Sequence, residues 1–186
     1  MRGGVRILDD MPRAALFTVT GVLWCTSWLS LLTDPAYQDP ETAADWFAVL
    51  SFSAALFALA FALPMLAQLI SGRVVFRVSL VPAVGAALAG LSNLLEDALQ
   101  LGWAFWLFIL STAVIIVGLV AFIVVVAVAG RGRLRLLAAV PAATLAAILL
   151  FPVGGGVLIV AAWLAAAAIA LGRPARTAAQ AATESP

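Results

Sequence analysis

Histidine and lysine are absent from the 186 residues, and cysteine occurs once, as Cys25. Without imidazole there is no bis-His haem, no His-ligated zinc protease site and no Ser-His dyad. Without lysine there is no Schiff base to retinal or to a carbonyl substrate. A lone thiol makes neither an internal disulfide nor a two-thiol relay, and Cys25 reads as a small hydrophobe inside a helix. Charge is scarce as well, at 10% of residues against about 25% in ordinary soluble domains. These shortages remove most nucleophile and base combinations. An enzyme is therefore the least supported class, and no metal or cofactor is expected.

What the chain has instead is apolar length. Hydrophobic residues make up 65% of it, and the mean hydropathy is +1.16. The charges are confined to the ends and to short segments between apolar stretches long enough to cross a bilayer core of about 30 Å. The expected fold is all-α: a polytopic membrane protein whose transmembrane domain covers residues 14–172.

Six spans account for the pattern, at about 14–32, 46–70, 78–95, 103–129, 136–151 and 153–171. Residues 1–13 form an N-terminal segment with Arg2, Arg6, Asp9, Asp10 and Arg13, and Met11 is a second candidate start. Asp34-Pro35 and Asp39-Pro40 each fit an N-cap followed by proline in a first helical turn, which starts the second helix near Asp39. Pro64, Pro82 and Pro141 predict kinks. Residues 136–172 carry no charge, and as one helix they would extend about 55 Å, so the chain must turn back. Pro152 and Gly154 to Gly156 are the place for that turn. Residues 173–186 form a frayed tail.

Charge placement gives an independent check, because arginine and lysine are retained on the cytoplasmic side during insertion. With six spans all ten arginines fall on one side, together with Asp9, Asp10, Glu184 and both termini. Asp34, Asp39, Glu41, Asp45, Glu96 and Asp97 fall on the other, where the sequence offers no cationic residue. Five spans would carry Arg173 and Arg176 across. Trp28, Tyr37, Trp46, Trp103 and Trp106 fall near the outer boundary, as an aromatic belt does. The basic rim is a topology determinant that also suits anionic lipid, and nucleic acid is not an expected partner.

One constellation invites a functional reading. On a helical wheel the third span gathers Pro82, Ala86, Ala89, Gly90, Asn93, Glu96, Asp97 and Gln100 on one face. Leu80, Val81, Val84, Leu88, Leu91 and Leu95 make the other. Small residues let helices approach closely in lipid, so the first face is expected to point into the bundle. Asn93, Glu96, Asp97 and Gln100 are thus the candidate cation- or proton-binding residues, roofed by Trp103 and Trp106. Crowded carboxylates raise one another's pKa, which would suit proton linkage. The simpler reading is the solvated outer end of a helix, since Glu96 and Asp97 lie about 26–29 Å along the axis from Val78, at the edge of the hydrocarbon.

Hydroxyls at Thr20, Thr26, Ser27, Ser30, Ser51, Ser53, Ser111 and Thr112 are expected to bond their own helix backbones or a neighbouring helix rather than to line a path. Two functions remain in play for a multi-pass protein of the cell membrane. The first is a non-catalytic accessory or scaffold subunit, associating with another membrane protein or with itself. The second is a small cation- or proton-linked transporter or channel using the acidic end of the third helix.

Overall fold

A computed structural model describes residues 3–33, 40–70, 72–130, 132–150 and 155–171. Every regular element among them is helical. The helices are α1 (Gly3–Thr33), α2 (Ala43–Ile70), α3 (Arg73–Asn93), α4 (Ala104–Ala129), α5 (Ala139–Leu149) and α6 (Gly156–Leu171). A π-helical turn, Leu94–Ala98, continues α3, and a 3-10 segment, Gly132–Ala138, leads into α5. Three stretches are long and apolar enough to cross a membrane: Ala43–Ile70, Arg73–Ala98 and Ala104–Ala129. Leu134–Leu149 and Gly156–Leu171 are apolar but shorter, about 24 Å each at 1.5 Å per residue.

Two helix starts differ from those the sequence suggests. α1 begins at Gly3 and not near Ala14, so Pro12 lies inside it. Hydropathy marks where a chain becomes apolar, and the polar residues Asp9, Asp10 and Arg13 that precede the apolar run already belong to the helix. α2 begins at Ala43 and not near Asp39, because its end is closed by a capping box. Asp45 Oδ2 accepts from the backbone N–H of Thr42 at 2.7 Å and of Glu41 at 3.0 Å, while Asp45 N–H donates to Thr42 Oγ1 at 3.3 Å. Three otherwise unpaired backbone donors at this end are satisfied there, which outweighs a start at Pro40. Asp34, Pro35, Tyr37, Asp39, Pro152, Gly154 and the tail from Gly172 onward lie outside the described residues.

The helices close a ring in chain order: α1 packs on α2, α2 on α3, α3 on α4, α4 on α5, α5 on α6, and α6 back on α1. Adjacent helices run antiparallel. A Cβ on Gly21 of α1 would meet Val160 and Trp163 of α6, whereas one on Gly156, earlier in α6, would meet Trp28, later in α1. Gly85 and Gly118 set the α3–α4 contact in the same way, facing Ile115 and Pro82 respectively, and Gly90 faces Ser53 and Leu56 across α2–α3. Glycine brings these backbones together because lipid supplies no hydrophobic pressure between helices, leaving close packing to hold them.

Up-and-down packing sorts the charges by end. Arg13, Arg73, Arg77 and Arg135 lie toward one end of the ring; Glu41, Asp45, Glu96 and Asp97 lie toward the other, with the α5–α6 turn. At the basic end Arg135 Nε donates to Gly130 O at 2.9 Å, tying the 3-10 segment to the end of α4. A hollow of about 400 Å³ opens between α2 and α3 beside Gln68, Arg73, Phe76 and Arg77.

Candidate functional site

The third helix is oriented as its wheel predicts. Pro82, Ala86, Ala89, Gly90 and Asn93 are buried, while Leu80, Val81, Val84, Leu88 and Leu91 are exposed. Asn93 closes the buried face. Its Nδ2 donates to Ser53 Oγ at 3.0 Å and approaches Val49 O at 3.5 Å, so the amide bridges α3 to α2. A double-mutant cycle of Asn93→Ala and Ser53→Ala, read by reversible unfolding in detergent, should give a coupling of about 0.5–1.5 kcal/mol. Strict additivity would mean the bond contributes nothing.

Beyond Asn93 the helix widens into the π-turn, which advances each residue by less than the α-helical angle and so rotates everything after it. Glu96 and Asp97 sit in this turn, each half-buried. Gln100 does not join them. It lies past the turn, exposed, with φ of 54°, in the left-handed region that a side chain enters at a cost. The N–H of Leu101 then bonds Leu95 O at 3.1 Å, closing the helix end one residue wider than an α-helix would require. Gln100→Gly should therefore stabilise the protein by about 1 kcal/mol, measured as a shift of the unfolding midpoint; a loss would show that the glutamine side chain has a role of its own.

Trp103 and Trp106, the expected roof, are both largely exposed, at 58% and 71%, and Trp106 packs edge-on against its neighbour Phe105 at 5.6 Å. Both stand at the start of α4 on its outward side. Among the described residues no group of three or more His, Cys, Asp or Glu side chains is gathered as a metal would need.

A half-open cavity among α1 to α5 lies deeper, one helical turn below Asn93, and the wheel gave no hint of it. Its volume is about 190 Å³, and it is walled by Trp24 of α1, Phe52 and Leu56 of α2, Ala89 of α3, Phe108, Thr112 and Ile115 of α4, and Ile148 of α5. The three aromatic rings form a connected wall. Trp24 and Phe52 meet edge to face at 6.0 Å, and Phe52 and Phe108 meet at 6.2 Å with a 52° tilt. Neither Glu96 nor Asp97 reaches the cavity, and Thr112 brings the one side-chain hydroxyl to its wall.

Most of the other hydroxyls are tied to their own helices. Thr20 and Thr26 bond the carbonyl four residues back at 2.8 and 2.9 Å, and Ser30 and Ser51 the carbonyl three back at 2.8 and 3.1 Å. Ser27 and Ser111 are buried and their Oγ atoms make no hydrogen bond among the described residues. Cys25 is free and half-buried. No protein-family model, curated protein or solved structure matches this chain.

Proposed function

We infer that the chain is a six-span subunit of the cell membrane, both termini cytoplasmic, whose work is non-catalytic: it assembles with another membrane protein, or with a second copy of itself. The observation that carries this reading is the interior. The ring closes on glycine contacts, the Asn93 amide ties α3 to Ser53 and Val49 of α2, and the cavity is apolar and lined by no charged side chain. A proton or cation pathway needs ionisable groups facing such a space, and enzyme chemistry needs them converging. The outward side of α4 stays apolar along its length, from Phe105 through Leu110, Val117 and Val124 to Val128, all exposed. That stripe suits either lipid or a partner helix.

Photocrosslinking from Leu110, Val117 and Val124 in native membranes distinguishes the two. The proposal expects a discrete protein adduct of constant mass from at least two of these positions. Lipid adducts alone, with the chain otherwise monomeric, would overturn it.

A second reading, a small cation- or proton-linked transporter, rests on the π-turn, since such turns recur at functional sites and this one carries Glu96 and Asp97 side by side. Flux through proteoliposomes tests it. Transport lost in Glu96→Gln and Asp97→Asn proteins that insert normally would favour it; flux equal to that of empty vesicles, for several cations and both gradient directions, would remove it.

A further inference from the structure

We propose that the cavity among α1 to α5 is a binding site for one small uncharged ring compound bearing a single hydrogen-bonding edge, a phenol-sized molecule taken up from the bilayer. Size is the first argument. An apolar protein cavity of about 150 Å³ accepts benzene, so this half-open one of about 190 Å³ has room for such a ring with one further substituent. The walls are the second. Trp24, Phe52 and Phe108 line the space with aromatic rings already in contact with one another, and no charged side chain lines it, which disfavours an ion.

Thr112 is the third argument and fixes the polar edge. Thr18, Thr20, Thr26 and Thr144 each return the hydroxyl to the carbonyl four residues back, at 2.8–2.9 Å. Among the described side chains Thr112 is the one threonine within a helix whose hydroxyl makes no hydrogen bond, and it lines the cavity. That hydroxyl stays accessible and is not spent on its own helix, so an incoming hydroxyl or carbonyl can bond it without breaking an existing bond. Phe52, Phe108, Thr112 and Ile148 are half-buried, so the cavity is open on their side, which gives a molecule in the bilayer a way in.

Fluorine NMR of the purified full chain in detergent, with 4-fluorophenol, 4-fluorotoluene and 1-fluorohexane as probes and empty micelles as reference, tests this. The proposal expects a saturable bound resonance for both aromatic probes and weaker or no saturable binding of fluorohexane. Thr112→Val, which keeps shape and removes the hydroxyl, should weaken fluorophenol about five- to tenfold and leave fluorotoluene within about twofold. Ala89→Leu should abolish both by filling the space, and Ile148→Phe does so from the opposite wall should Ala89→Leu fail to fold. Micellar partitioning alone, undiminished binding in both filled variants, or fluorohexane binding as tightly as the rings would overturn the site. An equal loss of both aromatic probes in a folded Thr112→Val protein would overturn the role of the hydroxyl.

Discussion

Gly118→Val is expected to prevent the native bundle from forming, and Gly118→Ala to cost about 2–3 kcal/mol. A Cβ at this position would stand 2.7 Å from both Pro82 N and Pro82 Cδ and 3.0 Å from Pro82 Cα. These are backbone and ring atoms with no rotamer to escape into, so α3 and α4 must separate. Overpacking a close contact costs about 1–3 kcal/mol per extra group, and valine adds two methyls beyond alanine. Gly102→Ala is the control: nothing lies within 4 Å of its Cβ, and the change should fall within about 0.5 kcal/mol of neutral. Unfolding in mixed micelles reads both. A Gly118→Ala protein as stable as the parent would mean that α3 and α4 are not held at this distance.

Trp163→Ala should cost about 3–5 kcal/mol. Trp163 is fully buried, the largest such side chain, where α6 meets α1, and its ring lies 5.5 Å from that of Phe17. Truncation leaves a void that two packed helices cannot collapse into, and in a bilayer the loss is mainly one of dispersion contacts. Trp163→Phe should cost distinctly less, about 1–2 kcal/mol. It retains a ring against Phe17, and the indole N–H that it removes is buried without a hydrogen bond. Equal losses for alanine and phenylalanine would contradict the packing account, since only the void distinguishes them.

The parts of this fold that the sequence reveals are those governed by period and length. A residue advance of about 100° is enough to orient α3, because its small residues and its Leu and Val residues separate cleanly on the wheel. Thirty-seven uncharged residues cannot cross the membrane once, so the turn between α5 and α6 follows from arithmetic. Where the period itself changes, the wheel fails. The π-turn after Asn93 and the left-handed backbone of Gln100 break the 100° advance that the wheel assumes, and no local signal in Leu94–Ala98 announces the change. The Thr42–Asp45 capping box was visible in the sequence as a threonine followed three residues later by an acid, yet two Asp-Pro pairs offered competing starts. The cavity was not legible at all. It depends on five helices meeting, and Trp24, Phe52, Phe108, Thr112 and Ile148 look individually like ordinary core residues.

Membrane sidedness is the claim that follows most directly from the six-span reading together with the sorting of charge by end. In a Cys25→Ala background, single cysteines at Gln100, Arg73 and Ala181 can be probed on intact cells with a membrane-impermeant maleimide. The account predicts that Gln100→Cys labels on intact cells, whereas Arg73→Cys and Ala181→Cys label only after permeabilisation. Labelling of Ala181→Cys from outside together with Gln100→Cys, or of Arg73→Cys and Gln100→Cys from the same side, would contradict it.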